Sequence, residues 1–86
     1  MIEIIFNKSE NRSIAYDNNI EIGECVFVET KDCWNIVHTE VDKLYQGQGI
    51  ALKLVQNIIQ NAKKFDKRII AECSYARKVL EQKKSI

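Results

Sequence analysis

The segment HTEVDKLYQGQGIALKL, His38–Leu54, is where the hydrophobic pattern of the chain changes from that of strands to that of a helix. It is typical of a strand end, a short loop and the first turns of a helix. The loop contains Gly47 and Gly49, and glycine lets a bound group approach the backbone closely. The unpaired N–H groups and the positive dipole end of a helix start favour a phosphate. The segment therefore predicts a binding site for a phosphate-bearing ligand.

Four short segments rich in β-branched and aromatic residues precede this loop and are predicted to be strands. They are Ile2–Phe6, Arg12–Tyr16, Glu21–Thr30 and Cys33–Val41. Turn-forming or polar residues separate them, which favours an antiparallel meander. Gly23 indicates a bulge or a twist near the start of the third strand.

The second half of the chain has helical spacing that is interrupted by one strand. Apolar residues recur every three or four positions in Gly49–Phe65, which predicts an amphipathic helix. Arg68–Cys73 is a predicted fifth strand, parallel to the fourth and reached by a right-handed crossover. A last helix is predicted over Ser74–Glu81, with Ser74 as its N-cap. A frayed tail, Gln82–Ile86, is predicted to follow it.

The predicted element order is β-β-β-β-α-β-α. This is an α/β (α+β) fold whose sheet is mostly antiparallel, with one parallel β-α-β unit. The 86 residues are predicted to form one domain, 1–86. Ligands bind outside the carboxyl ends of parallel strands, so the glycine loop and the end of the fifth strand are predicted to share a site.

Composition argues against several classes of function. Thirteen basic residues against twelve acidic ones give a net charge of +1, which does not favour a nucleic-acid partner. No apolar run approaches the ~20 residues of a membrane span, and no basic-then-apolar leader begins the chain, so a cytoplasmic protein without a membrane partner is expected. The three cysteines form no CxxC pair, so neither a disulfide framework nor a metal site is expected.

The glycine loop matches a known family motif. It lacks the spacing of a Walker loop, and Leu52 stands where a dinucleotide fingerprint needs its third glycine. Instead, the segment Val41–Ala51 resembles motif A of the GCN5-related N-acetyltransferases (the GNAT superfamily). Gln46, Gly49 and Ala51 fall on core positions of that motif. The chain is also similar to a short single-domain GNAT subfamily with HTEV, QGQGIA and CSY motifs, which correspond here to His38–Val41, Gln46–Ala51 and Cys73–Tyr75.

The resemblance implies acetyl-CoA as the ligand. The N–H groups that hold its pyrophosphate in the family correspond to Gln46, Gly47, Gln48, Gly49, Ile50 and Ala51. Val41 corresponds to the backbone that lines the pantetheine arm, which lies between the parted fourth and fifth strands. Two positions depart from the family pattern. Lys43 replaces a proline, and Leu80 stands near the place of a tyrosine that reprotonates the leaving thiolate in larger relatives.

Cys73 is the first candidate for the chemistry. Acetyl transfer to an amine needs a deprotonated nucleophile, a polarised thioester and a proton for the departing sulfur. Cys73 is predicted to end the fifth strand near the thioester, as an acyl acceptor or as the acid for CoA, and a helix start at Ser74 would lower its pKa. The alternative is an inert, buried strand cysteine. Tyr75 is a candidate for a hydrogen bond to the thioester, although the favoured interpretation is that it packs beneath the sheet.

His38 and Glu40 are the second candidates. They lie two residues apart in the fourth strand, so both are predicted to point to one face. Trp34 and Ile36 are predicted to share that face. As a couple, His38 and Glu40 are candidates for a base that deprotonates an amine or activates Cys73. The alternative is a solvated carboxylate beside a histidine with satisfied hydrogen bonds.

Together these observations predict an acetyl-CoA-dependent N-acetyltransferase that acts on an amine-bearing acceptor. A CoA-binding module without turnover, or a thiol sensor, is the alternative within the same fold. A nucleotide-phosphate binder unrelated to CoA is a third interpretation. The expected assembly is a monomer or a weak homodimer.

Overall fold

Five strands form one mixed sheet in the order β1-β2-β3-β4-β5, and two helices pack against it. The computed structural model describes residues 1–84. The pairs from β1 to β4 are antiparallel, and β5 is parallel to β4. The predicted element order and fold class are confirmed. The elements are β1 (Ile2–Asn7), β2 (Arg12–Asp17), β3 (Ile20–Glu29), β4 (Cys33–Val41), α1 (Ile50–Lys64), β5 (Arg68–Ala71) and α2 (Ser74–Lys84).

Two predicted boundaries near the end of the chain are wrong. β5 ends at Ala71, so Cys73 lies beyond the strand and not within it. α2 continues to Lys84, so the predicted frayed tail begins too early. Glutamine and lysine are good helix formers, which explains why the helix extends past Glu81. The remaining part of that predicted tail, 85–86, lies outside the described residues.

The apolar stripe of α1 packs against the sheet, as its spacing predicts. Its buried residues are Ile50, Leu54, Val55, Ile58, Ile59 and Ala62. The buried hydroxyl of Ser13 in β2 donates a hydrogen bond to the carbonyl of Leu54 at 2.9 Å, which ties the helix to the sheet. Within residues 1–84, neither helix is long and apolar enough to cross a membrane.

Stacked aromatic rings fill the core at the end of β4 that lies away from the glycine loop. Trp34 is fully buried. Its ring stacks on Phe27 at a centroid distance of 4.3 Å and on Phe6 at 5.7 Å. This aromatic cluster lies at the start of β4, and the candidate site lies at the opposite end of the strand.

β3 has a bulge beside Gly23, where its backbone also lies close to β4 near the candidate site. The register between β2 and β3 shifts beside Gly23, so the bulge predicted from this glycine is confirmed. A Cβ atom added to Gly23 would lie 3.1 Å from the carbonyl oxygen of Glu40 and 3.3 Å from Val41 Cγ2. A side chain here would therefore push β3 and β4 apart.

Candidate functional site

The parallel strands β4 and β5 part at Ile36. Their last pair joins Ile36 and Ala71. Beyond it, the N–H groups of Glu72 and Cys73 both donate to the Ile36 carbonyl at 3.0 Å. β4 continues to Val41, whereas the segment that follows β5 leads into α2. Within the described residues no strand pairs with this part of β4 on that side, so an extended ligand has a backbone edge to bind.

A bulge at Val37 changes the face that the following side chains occupy. The register between β3 and β4 shifts by one residue there, and an extra residue inverts the alternation of faces. His38 and Glu40 are exposed, whereas Trp34 and Ile36 are fully buried. The prediction that these four residues share one face is therefore wrong.

His38 lies in a cluster of charged groups on the exposed face of β3 and β4. Its Nε2 atom is 3.7 Å from Glu24 and 3.9 Å from Glu40, and its side chain is 50% exposed. The ligand atoms of these three residues lie within 4.8 Å of one another. Glu24 also accepts a hydrogen bond from Arg12 at 2.9 Å. The structure thus brings His38 and Glu40 together, but it does not join them to Cys73, which contacts the opposite face.

Thr39 is the residue of this strand that contacts Cys73, and the sequence interpretation missed it. Its Oγ1 atom lies 3.5 Å from the Cys73 sulfur and 3.4 Å from the Cys25 sulfur. Cys25 is directly opposite Thr39 in the ladder and is fully buried. The alternation of side chains in the HTEV segment already places Thr39 on the opposite face from His38 and Glu40. Locating the bulge was needed to decide which face is the core.

Cys73 occupies the N-cap position of α2. Its carbonyl accepts the N–H of Arg77 at 2.9 Å, so the N-cap predicted at Ser74 is displaced by one residue. Burial would raise the pKa of the Cys73 thiol. Hydrogen bonds from Thr39 and from backbone N–H groups in the first turn of α2 outweigh burial and hold that pKa below its ordinary value. The position therefore favours the thiolate.

The glycine loop presents free N–H groups at the start of α1. Gly47 and Gly49 have φ angles of 83° and 79°, a region that non-glycine residues seldom adopt. Gly49 is the N-cap of α1, and no side chain caps it. The first helical hydrogen bond runs from the N–H of Lys53 to the carbonyl of Gly49 at 3.2 Å. The N–H groups before Lys53 therefore have no partner within the helix and suit an anion.

Side-chain contacts hold the loop from behind. Lys43, which stands where the family motif has a proline, begins a single turn of 3-10 helix, Lys43–Tyr45. The Tyr45 hydroxyl donates to the Asp17 carboxylate at 2.5 Å, which raises the pKa of Tyr45 and lowers the pKa of Asp17. The Gln46 side chain donates to the carbonyl of Val41 at 3.1 Å. These contacts fix the position of the loop relative to β2 and β4.

A cleft of about 240 Å³ lies between the loop, the start of α1 and Tyr75. Tyr45 also lines it. Tyr75 is 39% exposed and lines the cleft. The prediction that it packs beneath the sheet is therefore wrong. Gln48 is the one residue of the predicted ligand-binding set that does not line the cleft. The others do: Val41, Gln46, Gly47, Gly49, Ile50 and Ala51.

A wider groove of about 720 Å³ adjoins this cleft, and the two share Val41 and Gln46. The ends of β3 and β4 form its walls. Lys43 is its basic residue, whereas its acidic residues are Glu21, Glu24, Glu40 and Asp42. The groove is therefore acidic, in contrast to the N–H groups that face the smaller cleft.

Residues 12–86 match a family described as GCN5-related N-acetyl-transferase. The chain belongs to this family. The identification agrees with the fold, in which a glycine loop follows the strand that parts from its parallel neighbour. No curated protein sequence matches the chain.

Solved GNAT structures share the fold. A GCN5-like protein from Staphylococcus aureus is 32% identical over 96% of this chain and 81% of its own, with a TM-score of 0.72. A GNAT family acetyltransferase from Elizabethkingia anophelis, solved with acetyl-CoA bound, is 29% identical over 85% of this chain and 51% of its own, with a TM-score of 0.66.

The chain is much shorter than some of the GNAT proteins it resembles. A GCN5-related N-acetyltransferase from Sphaerobacter thermophilus is 25% identical over 72% of this chain, with a TM-score of 0.67, and the match spans 21% of that protein. The chain thus spans about a fifth of the Sphaerobacter protein and about half of the Elizabethkingia protein.

Proposed function

We propose that residues 1–86 form a single domain that binds acetyl-CoA and transfers its acetyl group to an amine. The observation that carries the proposal is the juxtaposition of an uncapped helix start with the point where β4 and β5 part. The first suits a pyrophosphate and the second suits an extended arm. The acetyl-CoA in the Elizabethkingia relative supports the same ligand here.

The residues of the smaller cleft suit this ligand. The backbone N–H groups of the segment 47–51 would hold the pyrophosphate, including that of Gln48, which does not line the cleft, whereas the Gln46 N–H already donates to the Lys43 carbonyl at 3.4 Å. The open edge of β4 near Val41 would take the pantetheine arm. Gly47 and Gly49 leave open space around their Cα atoms, so phosphate oxygens can approach the backbone. Bound acetyl-CoA would supply an activated thioester.

Cys73 is proposed as the residue that handles the acetyl group. As a thiolate it would attack the thioester carbonyl carbon and accept the acetyl group while the bond to the CoA sulfur breaks. As a thiol it would instead give its proton to that departing sulfur. The lowered pKa of Cys73 favours the first role.

His38 is proposed as the base that accepts the proton of the amine, with Glu40 beside it to stabilise the charged imidazole. Its half-exposed ring is open to an incoming amine. Because Cys73 contacts the opposite face of β4, His38 would take the proton from the ammonium form of the acceptor before the amine reaches the thioester. Replacing His38 by alanine should therefore slow transfer to the amine without removing any acetylation of Cys73.

Calorimetric titration tests the ligand. Acetyl-CoA and desulfo-CoA should both bind, whereas ATP should not compete, because the pantetheine arm supplies part of the interaction. Equal binding of ATP would point to a nucleotide-phosphate site, and no heat with either CoA species would contradict the proposal.

Release of CoA with a panel of amines then tests turnover. Wild type and Cys33→Ala should release CoA at similar rates, and Cys73→Ala should be impaired. An acetyl adduct on Cys73, detected by mass spectrometry, would identify the acyl-acceptor role. Full activity of Cys73→Ala without an adduct in wild type would exclude it.

The second candidate function is a CoA-binding thiol sensor. The Cys73 thiol supports it, because its pKa is lowered, it lies two residues before Tyr75 of the cleft, and a thiolate also exchanges with disulfides. This function predicts tight CoA binding and a mixed disulfide between Cys73 and CoA under oxidising conditions. It also predicts no release of CoA with any amine of the panel.

A further inference from the structure

Three side chains from three different elements form a row behind the proposed reactive thiol. The Cys25 sulfur of β3 lies 3.4 Å from Thr39 Oγ1 of β4, and this oxygen lies 3.5 Å from the Cys73 sulfur at the start of α2. Both distances are within the range of hydrogen bonds to sulfur. The proposed function uses only the last member of this row.

The chemistry of the three groups sets the direction of these hydrogen bonds. A hydroxyl carries one hydrogen, so Thr39 can donate to one sulfur only. Burial, the largest cause, raises the pKa of Cys25 to about 12, so Cys25 keeps its S–H hydrogen at neutral pH. A thiol beside a hydroxyl oxygen can donate to it, which leaves the Thr39 hydrogen for Cys73.

We infer that Thr39 is a positioning residue that accepts the S–H of Cys25 and donates its own O–H to the sulfur of Cys73. The hydrogen bond stabilises the Cys73 thiolate and fixes its orientation at the start of α2. Cys25 acts one step further back, because it holds the hydroxyl in the donating orientation. The row is an arrangement of hydrogen bonds, and no proton needs to move along it.

The charged groups around the row do not provide an alternative donor. Glu72 and Arg77 flank Cys73 in the chain. The Glu72 carboxylate accepts from Asn35 at 3.1 Å, and the Arg77 guanidinium donates to the carbonyl of Ala71 at 3.2 Å. On the β3 side, burial is the largest cause of the raised pKa of Cys25 and outweighs the hydrogen bond with Thr39, which acts to lower that pKa. The Cys73 thiolate and Glu24 act in the same direction as burial, so Cys25 stays protonated.

The inference rests on the proposed role of Cys73, but the reactivity of this thiol is measurable without acetyl-CoA. Alkylation of Cys73 by iodoacetamide, followed by peptide mass spectrometry across a range of pH, reports its thiolate fraction. The background variant Cys33→Ala removes the other partly exposed thiol. Failure of acetyl transfer in wild type would contradict the proposed function and leave this measurement intact.

Two substitutions of Thr39 separate hydrogen bonding from packing. Thr39→Val keeps the branched shape without the hydroxyl, and Thr39→Ser keeps the hydroxyl without the methyl group. We expect Thr39→Val to raise the midpoint of the Cys73 profile and to slow alkylation about tenfold at neutral pH, as loss of a hydrogen bond to a charged group requires. Thr39→Ser should retain the wild-type profile.

Cys25→Ala tests the rear of the row. It should slow alkylation of Cys73 by roughly threefold, because the Thr39 hydroxyl is then free to rotate away. An unchanged profile in folded Thr39→Val would overturn the inference. Equal impairment in Thr39→Val and Thr39→Ser would assign the effect to packing and would also overturn it. If Thr39→Val does not fold, the Cys25→Ala profile decides, because an unchanged Cys73 profile in that variant would also overturn the inference.

Discussion

The carbonyl oxygen of Ile36 accepts the backbone N–H of Cys73 at 3.0 Å. Ile36 is fully buried, so this bond ties the proposed reactive residue to the core of the sheet. It also places Cys73 at the point where β4 and β5 part. The thiol is therefore positioned by backbone contacts, and its environment is tuned by the side chain of Thr39.

The left-handed conformation of Gly49 should make this position intolerant of alanine. A non-glycine residue at this φ angle costs about 1–2 kcal/mol, so Gly49→Ala should lower the free energy of unfolding by that amount and weaken acetyl-CoA binding. Gly49→Asn should lose less stability, because asparagine tolerates this conformation. Urea denaturation and calorimetry measure the two effects. Equal stability of both variants and wild type would contradict this account of the loop.

Two leucines offer a matched test of the core. Leu54 is fully buried in α1, whereas Leu44 is 86% exposed. Leu54→Ala should lower the free energy of unfolding by about 2–5 kcal/mol, because it leaves a cavity between helix and sheet. Leu44→Ala should change it by no more than about 0.5 kcal/mol. Chemical denaturation distinguishes them, and a similar loss in both variants would mean that α1 packs differently.

Alkaline pH should destabilise the fold through Cys25. Its folded pKa is raised to about 12, above the ~8.5 of an unfolded thiol. The unfolded chain therefore loses this proton first as pH rises, and stability falls across the window between the two values. Between pH 8 and pH 10 the free energy of unfolding should fall by about 1–2 kcal/mol from this group.

The variants Cys25→Ala and Cys33→Ala check this assignment. Tyrosines and lysines titrate in both variants, so only the difference between them reports on Cys25. Cys33→Ala should keep the alkaline loss of stability, and Cys25→Ala should lack the part due to the buried thiol. Identical pH dependence in the two variants would show that Cys25 is not the group responsible.

The hydrogen bond between Tyr45 and Asp17, which holds the glycine loop against β2, predicts that acid lowers the stability of the fold. The hydrogen bond from Tyr45, followed by that from the N-terminal amine, lowers the folded pKa of Asp17. A carboxyl group whose pKa is lowered by folding stabilises the fold at pH values above its unfolded pKa of ~3.9. This contribution is lost as the pH falls through the folded pKa. Tyr45→Phe should therefore have a lower melting temperature than wild type at pH 6. The difference should disappear in strong acid, and a difference that is independent of pH would contradict the prediction.

The fold was largely predictable because each element carries its own local signal. The change of period at Gly49 separates the strands from α1, and a β-α-β unit has one usual hand. The conformation of the glycine loop is predictable for the same reason, since the positive φ angles of Gly47 and Gly49 favour glycine at those two positions. The end of β5 is not predictable, because Cys73 continues the apolar alternation of Ile69 and Ala71, whereas the N–H groups of residues 72 and 73 already donate to one shared carbonyl.

The chemical part of the site depends on a register shift that has no local marker. Gly23 announces the bulge in β3, but the bulge at Val37 lies within a run of ordinary strand residues. Its position is set by pairing with β3 and β5, which sequence periodicity does not report. Because the alternation of faces inverts there, Thr39 and not His38 meets Cys73.

The parallel pair also determines the order in which the site can assemble. β5 has only four residues, and it reaches β4 only after all of α1 has been placed. Closing so long a loop costs chain entropy before any contact is gained, whereas the four antiparallel strands form from neighbouring segments. The backbone amides of β5 should accordingly exchange with deuterium sooner than those of β3. We expect Cys73 to be the last part of the candidate site to dock during folding and the first to be released by local opening.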